Sequence, residues 1–293
     1  MNPPLTFHKV ALPPGLTFVG VPIGAARDIT LRALDVLASA DVLIAEDTRA
    51  LRRLMDIHGV PLNGRPLISH HDHSSDKQVQ RIADMVASGS SVAYASEAGM
   101  PAVADPGFEL ARALHEAELT VTCAPGPSAS TTALALAGLP TDRFHFEGFL
   151  PQSKSARLRA LEVLKAVPAT LVIYESPKRL VAALKDMSAV LGAHRLAAVC
   201  RELTKRFEEV QRGKLSDLVE FYQNQAPKGE IVVLIDRERL ETVSEIDLEH
   251  HLREALKTMS VRDAANAVAL AHDLPRRRVY QEALRLAAEE NET

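Results

Sequence analysis

The sequence predicts an α/β protein with two sheet-containing domains and a small helical unit at its C-terminus. Apolar runs of strand length alternate with helical patterns through residue 236, which is typical of sheets covered by helices. The alternation restarts after Gly138-Leu139-Pro140, and only helical patterns follow Ser244. A chain of 293 residues has room for two such domains. We therefore expect domains at residues 1–127 and 128–240 and a helical tail at 245–293.

In the first domain, four apolar runs are predicted as strands, and alternation with helices favours a mostly parallel sheet. These strands are Leu16–Val21, Val42–Ala45, Val92–Ala95 and Leu119–Ala124. Leu31, Leu34, Leu37 and Ala38 recur at helical spacing, and Ser75 with Gln78 forms a capping box that opens another helix.

The second domain repeats the pattern. Its predicted strands are Leu171–Tyr174, Leu196–Cys200 and Ile231–Ile235. Its predicted helix faces are carried by Leu158, Leu161 and Leu164, and by Leu180, Val181, Leu184, Met187 and Leu191. In the tail, Ser260 with Asp263 resembles a helix cap, and Asp273-Leu274-Pro275 separates two helices in a layout that resembles a helix-turn-helix.

Composition excludes several classes of protein. Hydrophobic residues make up 46% and charged residues 25%, which are ordinary globular values. The absence of Trp and an aromatic content of 4% disfavour a surface built from many base-stacking side chains. No long apolar run predicts a membrane span, and no secretory leader precedes the first strand. Two cysteines, Cys123 and Cys200, form no disulfide framework, so we expect a cytoplasmic protein without membrane partners.

The formal charge of −4 is unevenly distributed. Residues 151–214 carry +7, whereas residues 1–150 carry −5 and residues 215–293 carry −6. A basic segment between acidic flanks favours a face that docks a polyanion, although solvated helices alone can also account for it. The phosphate-contacting residues that we expect are Arg49, Arg157, Arg159, Lys178 and Arg179.

Three predicted strands each end in a loop rich in Gly and Pro. The loops are Gly20 to Gly24, Ser96 to Pro101 and Pro125 to Ser130. Because ligands bind at the carboxyl ends of strands in open α/β sheets, three such loops together outline a binding site. None of them is a dinucleotide fingerprint or a P-loop. Ser128 lacks the second Gly of a nucleophile elbow, so we interpret it as a helix cap or a ligand contact.

Clusters of polar and charged residues supply further candidates for binding or catalytic roles. Glu46-Asp47-Thr48-Arg49 follows the second strand, where it can bind a hydroxyl or simply cap a helix. His70 to His73 resembles a metal-binding cluster, but adjacent residues on a loop seldom converge on one ion, so we predict no metal site there. Further charged motifs follow strands of the second domain at Glu175, Arg201 to Arg206 and Lys228 to Glu230.

Together these motifs resemble the tetrapyrrole-methylase superfamily, and within it the branch of small-subunit ribosomal RNA cytidine 2′-O-methyltransferases. The motifs run in order from residue 16 to residue 236, beginning with Val21-Pro22-Ile23-Gly24 and Glu46-Asp47-Thr48-Arg49. They continue with His71-Asp72-His73, Ser96-Glu97-Ala98-Gly99-Met100-Pro101, Asp105-Pro106-Gly107, Pro125-Gly126-Pro127-Ser128-Ala129, Phe146-Glu147-Gly148-Phe149-Leu150-Pro151, Tyr174-Glu175-Ser176, Arg201-Glu202-Leu203-Thr204-Lys205 and Gly229-Glu230.

The resemblance implies a two-domain tetrapyrrole-methylase-like fold with S-adenosylmethionine in the interdomain cleft, in a homodimer. It implies 2′-O-methylation of a decoding-centre cytidine in 16S ribosomal RNA, as naked RNA or in the 30S subunit. The cofactor-binding residues that it implies are Pro22, Ile23, Gly24, Ser96, Glu97, Gly99, Met100, Gly126, Ser128, Ala129, Tyr174 and Gly229. The catalytic candidates are Glu46, Asp47 and Lys205, with Glu175 as a further possible base. A lysine acts as a base only where its pKa is lowered.

The sequence departs from the usual family pattern at four positions, because Val21, Ala25, Glu97 and Met100 replace Thr, Asn, Asp and Thr. Glu97 keeps the charge on a longer side chain, whereas Met100 removes a hydroxyl. Alternatives that remain open are a tetrapyrrole-precursor methylase or a diphthamide-pathway methylase. Alternatives of other classes are a metal-dependent hydrolase using His70 to His73 and a non-catalytic RNA-binding factor.

Overall fold

The computed structural model describes residues 7–71, 76–225, 227–237, 245–271, 274 and 276–291. The chain divides into two compact units, Met1–Arg237 and Glu238–Thr293. Within the described residues, the first unit contains two five-stranded sheets, and the second contains three helices. In the part of the chain that the structure describes, no helix has the length and apolarity needed to cross a membrane.

The first sheet is entirely parallel and has the order β3-β2-β4-β1-β5. Its strands are β1 (Gly15–Val19), β2 (Val42–Ala45), β3 (Leu67–Ser69), β4 (Ser91–Ala95) and β5 (Val121–Ala124). The first four helices of the chain cover it: α1 (Leu31–Ser39), α2 (Thr48–Ile57), α3 (Asp76–Ala87) and α4 (Phe108–Glu116). Separate apolar cores lie on its two faces, so the central strands are buried on both sides. The predicted cap residue of α3, Ser75, lies outside the described residues.

The second sheet is mixed and has the order β6-β7-β10-β8-β9. Its strands are β6 (Phe144–Phe149), β7 (Thr170–Glu175), β8 (Leu196–Arg201), β9 (Glu209–Lys214) and β10 (Ile231–Ile235). Only the β6–β7 pair is parallel. One face packs on α6 (Lys154–Lys165), α7 (Leu180–Leu191) and α8 (Leu215–Asn224), and the other packs on α5 (Ala129–Ala137).

Two contacts tie the sheets together. Ile23, in the loop after β1, lies in the same apolar cluster as α5 and the second sheet. Close by, the Ala25 amide donates to the Thr204 hydroxyl at 3.0 Å. The predicted division after residue 127 stays a prediction, and α5, which follows it, packs on β8, β9 and β10.

The second unit consists of α9 (Glu245–Leu256), α10 (Val261–Ala271) and α11 (Arg276–Asn291). Leu252, Ala265 and Ala283, one from each helix, lie in its core. The predicted cap is present, because the Asp263 amide donates to the Ser260 hydroxyl at 3.2 Å. Asp273 and Pro275 lie outside the described residues.

Candidate active site

The three Gly/Pro loops converge at one edge of the first sheet. Their strands, β1, β4 and β5, are neighbours and run in the same direction, so their carboxyl ends meet. Val21 and Gly99 exchange two backbone hydrogen bonds, of 2.9 and 3.1 Å, between the β1 and β4 loops. The Gly20 amide donates to the Ala124 carbonyl at 2.9 Å, which joins the β1 and β5 loops. The convergence predicted from the sequence is therefore present.

Gly126 allows the β1 and β5 loops to pack closely against each other. A Cβ atom placed on Gly126 would lie 2.8 Å from the carbonyl carbon of Gly20, closer than side chains tolerate. A Cβ placed on Gly20 would lie 2.6 Å from the Cα of Gly126. The backbones of the β1 and β5 loops thus touch directly, and only glycine at both positions permits that contact.

A cavity of about 600 Å³ lies between these loops and the second sheet. Two of the predicted cofactor-binding residues, Ser96 and Gly126, do not line it. Ser96 is buried, and its hydroxyl donates to the Ala98 carbonyl at 3.2 Å. The other predicted cofactor residues line the cavity: Pro22, Ile23, Gly24, Glu97, Gly99, Met100, Ser128, Ala129, Tyr174 and Gly229.

Tyr174 and Ser128 both line the cavity, and each interacts with Ser130 at the start of α5. Ser128 occupies the N-cap position of α5, but its side chain makes no capping hydrogen bond to the helix backbone. Its hydroxyl instead shares a hydrogen bond of 2.9 Å with the hydroxyl of Ser130. Burial raises the pKa of Tyr174 above its ordinary value, although hydrogen bonding with Ser130 opposes the shift. Tyr174 is therefore a neutral phenol at physiological pH.

Carboxylates dominate the charge of the cavity wall. Glu46, Glu97, Asp105, Glu175 and Glu230 all line it, whereas no Lys, Arg or His does among the described residues. One carboxylate oxygen of Glu46 accepts from the Glu97 amide at 3.3 Å, which joins the ends of β2 and β4. An acidic, partly apolar cleft suits a cationic ligand.

The other two predicted catalytic residues lie outside the lining. Asp47 caps α2, where its carboxylate accepts from the amides of Arg49 at 2.7 Å and Ala50 at 3.3 Å. Hydrogen bonds from Arg49 lower the pKa of Asp47. The capping interpretation of this residue is thus the one that the structure shows.

Lys205 is held by two carboxylates. Its Nζ lies 3.0 Å from Glu202 and 3.0 Å from Glu230. Partial burial lowers the pKa of Lys205, but the hydrogen bonds to Glu230 and Glu202 outweigh it, so the pKa lies above its ordinary value. The lowered pKa that a lysine base requires is absent, and Lys205 is a cation here.

Two of the predicted phosphate contacts need correction. Arg157 is buried, and its guanidinium binds the Asp186 carboxylate at 2.6 and 2.8 Å. Arg179 is paired with the buried Glu175 at 3.3 Å and donates to the Leu150 carbonyl at 2.7 Å. Both guanidinium groups neutralise carboxylates inside the second domain, because a buried carboxylate is stable only with a charged partner.

The remaining predicted phosphate contacts are available to solvent. Arg159 and Lys178 are exposed. The Arg49 side chain is 91% exposed and pairs with Asp47 at 3.3 Å.

The histidine loop shows no metal-binding geometry in its described part. His70 is buried with its Nδ1 3.4 Å from the Tyr94 hydroxyl. Asp72 and His73 lie outside the described residues. Across the described ranges, no three His, Cys, Asp or Glu side chains are grouped to hold a metal ion.

Several lining residues were missed by sequence reasoning. They come from strand ends of the second sheet and from the loop after β4, where only an apolar strand or a tight turn was evident. They are Val103, Ala104, Pro177, Cys200, Ile231 and Val232. The order of the second sheet, which places β10 between β7 and β8, is what brings three of its strand ends to the cavity.

The comparisons with known proteins agree with this architecture. Residues 15–219 match the family of tetrapyrrole (corrin/porphyrin) methylases, and residues 242–287 match the RsmI C-terminal HTH domain. Among solved structures, the methyltransferase CobJ is similar with a TM-score of 0.60 and 20% identity, over 77% of this chain and 95% of that one. Diphthine synthase is similar with a TM-score of 0.58 and 17% identity, over 75% of this chain and 89% of that one. These structures share the fold.

Curated relatives are much more similar in sequence. A protein of Mesorhizobium japonicum named ribosomal RNA small subunit methyltransferase I is 41% identical, over 94% of this chain and 93% of its own length. A protein of the same name from Escherichia coli O157:H7 is 38% identical, over 92% of this chain and 94% of its own length. The family match covers residues 15–219, which hold the first sheet and four strands of the second. The chain therefore belongs to the tetrapyrrole methylase family, in the branch of the proteins named ribosomal RNA small subunit methyltransferase I.

Proposed function

We propose that this protein transfers the methyl group of S-adenosylmethionine to a cytidine ribose 2′-hydroxyl in the small-subunit ribosomal RNA, at the decoding centre. The observation that carries the proposal is the cleft between the two sheets, in a chain 41% identical over 94% of its length to a protein named ribosomal RNA small subunit methyltransferase I. The choice of cytidine and of the 2′-oxygen rests on the motifs that resemble this branch of the family.

The residues of the cleft fit S-adenosylmethionine. A cavity of about 600 Å³ lies within the usual range for ligand sites. The cofactor carries a sulfonium, an ammonium and a carboxylate, so its net charge is positive, and the carboxylates of Glu46, Glu97 and Asp105 supply the opposite charge. The backbone of Gly99 allows close approach of a ligand, because a Cβ there would meet no atom closer than 3.5 Å. Gly24 and Gly229 instead make room for the side chains of Lys205 and Glu202.

The chain itself supplies positioning and a proton acceptor. When bound, the cofactor provides an activated methyl group for the ribose oxygen. The cleft must hold that oxygen in line with the carbon–sulfur bond, and such positioning is worth roughly 7–11 kcal/mol. We propose that Glu46, which lines the cavity, accepts the hydroxyl proton as the new oxygen–carbon bond forms. Asp47 fixes the start of α2 beside it, and the Lys205 cation ties Glu202 to Glu230.

We expect Glu46→Gln to lower kcat by roughly 10²–10⁴-fold, because the amide cannot take the proton. Steady-state rates at saturating cofactor and the dissociation constant of S-adenosylmethionine measure the two effects separately. Asp47→Ala is the matched comparison, and it is expected to cost about 1 kcal/mol of stability by removing a helix cap. A wild-type kcat in Glu46→Gln would remove Glu46 from the chemistry.

Arg159 and Lys178 are expected to contact RNA phosphates. Changing both to Glu should weaken binding of 16S RNA and reduce the slope of log affinity against log salt by about one for each lost contact. Fluorescence anisotropy over a salt series measures the slope, while the affinity for S-adenosylmethionine stays unchanged. An unaltered slope would identify these side chains as solvated surface.

The tail is expected to contribute to substrate recognition. Arg262 at the start of α10 and Arg276 and Arg277 at the start of α11 line one groove with Tyr280. Elsewhere in the tail Arg253 and Lys257 pair with nearby glutamates. A chain ending after Arg239 should bind cofactor normally but methylate subunits more slowly, and Arg262→Glu with Arg277→Glu should do the same in the full chain. Equal methylation by all forms would leave the tail without this role.

The proposed function is tested by incubating the purified protein with radiolabelled S-adenosylmethionine and one acceptor at a time. The acceptors are 30S subunits lacking the modification, naked 16S RNA, and a tetrapyrrole precursor. Label in RNA, mapped to the 2′-oxygen of one cytidine, is expected. Label only in the tetrapyrrole, or on a nucleobase, would overturn the proposal. We also propose the homodimer that the family resemblance implies, and sedimentation of the same sample tests it.

A further inference from the structure

One exposed aromatic side chain lies in the wall of the cleft. Phe149 is 58% exposed, and it lines the cavity together with Val103, which is 42% exposed. Ile23 and Leu203, also in the lining, are each only 6% exposed. The cavity is therefore open to solvent at Phe149 and Val103, which form an apolar part of its exposed rim. Other exposed lining residues, Glu97 and Glu230 among them, are charged.

A β-bulge places Phe149 there. In the parallel pair of β6 and β7, Phe146 lies opposite Val172 and Phe149 lies opposite Tyr174, so β6 has one residue more than β7 over this stretch. Since side chains alternate between faces, Phe149 would otherwise point to the opposite face of the sheet from Phe146. Gly148 accommodates the bulge with a φ of +73°.

The bulge thus gathers three aromatic rings on one face. The ring of Tyr174 makes edge contacts with Phe146, at a centroid distance of 5.0 Å, and with Phe149, at 5.6 Å. These contacts fix the ring of Phe149 while leaving more than half of its surface uncovered. Among the described residues, the other exposed phenylalanines are Phe108, Phe144 and Phe207, and none of them lines the cavity.

An apolar ring held at the mouth of a methyl-transfer cleft fits a nucleobase. A ribose hydroxyl can enter the cleft only if its nucleotide leaves the stack of its neighbours, and the base then needs a replacement surface. We propose that Phe149 stacks on the base of the target nucleotide and so positions its ribose for methylation. This inference rests on the proposed function, and it assigns the substrate base to the open side of the cleft.

The test compares three variants at Phe149 with one control. Phe149→Ala and Phe149→Leu remove the aromatic face, Phe149→Trp keeps it, and Phe144→Ala removes a similarly exposed ring from the same strand. We expect the first two to lose roughly tenfold to a hundredfold in kcat/KM for 30S subunits at saturating S-adenosylmethionine, as base–aromatic stacking predicts. Phe149→Trp and the control should stay within about threefold of wild type, and the cofactor affinity should not change in any variant.

Each outcome decides the assignment. Full kcat/KM in Phe149→Leu overturns it, because an aromatic face is then not needed. Weaker cofactor binding in Phe149→Ala, with a normal rate once cofactor saturates, also overturns it and assigns the ring to the cofactor. If the wild-type protein labels 30S subunits no better than a reaction without enzyme, the proposed function and this inference are overturned together. If wild type and Phe149→Ala label the subunits equally, only the inference is overturned. Thermal melting of each variant confirms that the fold is kept.

Discussion

Arg157→Ala is expected to lower the free energy of unfolding by about 3–5 kcal/mol, because it leaves the Asp186 carboxylate buried without a cation. The two side chains are only 7% and 9% exposed, and they join α6 to α7 over the second sheet. The Arg157 guanidinium also donates to the Gln152 carbonyl at 3.1 Å. Equilibrium unfolding in urea, followed by circular dichroism, measures the change.

Arg159→Ala is the matched control, since it removes an exposed arginine from the same helix and is expected to change stability by at most about 0.5 kcal/mol. The double variant Arg157→Met with Asp186→Leu should recover much of the loss, because it removes both buried charges together. A loss below about 1 kcal/mol in Arg157→Ala would mean that the pair is solvated in solution. Weaker RNA binding by an Arg157 variant would therefore report unfolding rather than a lost phosphate contact.

Gly126→Ala is expected to weaken S-adenosylmethionine binding by roughly tenfold to a hundredfold, as overpacking by one methyl group implies. The methyl group would lie 2.8 Å from the carbonyl carbon and oxygen of Gly20, so the β1 and β5 loops must separate. The effect comes from displacement of the loops that form the cleft, because Gly126 itself does not line the cavity. Calorimetric titration with the cofactor measures the affinity.

Gly213→Ala in β9 is the control for Gly126→Ala, since its added Cβ would meet Asp217 at an ordinary 3.5 Å. Gly99→Val is expected to weaken binding as well, but for a different reason. Gly99 has a φ of +74°, which valine adopts only with strain. Unchanged cofactor affinity in both Gly126→Ala and Gly99→Val would contradict the assignment of the cofactor to this cleft.

Four strands of the first sheet and its binding edge could be predicted from the sequence, because their signals are local. The edge strand β3 has only three residues, which is too short to give such a signal. A continuous apolar run such as Val42–Ala45 predicts a strand buried on both faces, and the Gly/Pro loops follow such strands directly. The rule that parallel strands share a carboxyl edge then brings Gly20, Gly99 and Gly126 together. The observed β1, β4 and β5 loops meet as this reasoning requires.

The edge strands and the buried ion pairs could not be predicted in the same way. The β9 residues Glu209–Lys214 are polar because the strand lies at the edge of the sheet, so they lack an apolar run. The partner of Arg157 is Asp186, which is 29 positions away in the sequence, so no local sequence pattern predicts this ion pair. A weaker signal does exist, since Arg157 is four residues before Leu161 and seven before Leu164, on the buried stripe of α6.

The burial of Cys200 has a consequence for the integrity of the enzyme. This thiol lines the same cavity, and burial raises its pKa to about 11. At pH 7 only about one molecule in ten thousand then carries the thiolate, which is the nucleophilic form of cysteine. In the proposed complex a thiolate at this wall could be alkylated by the sulfonium of the cofactor, whereas a thiol is a much weaker nucleophile. Held as a thiol, Cys200 packs in an apolar cluster at the wall of the cleft, and with the cofactor bound as proposed we expect it to stay unalkylated.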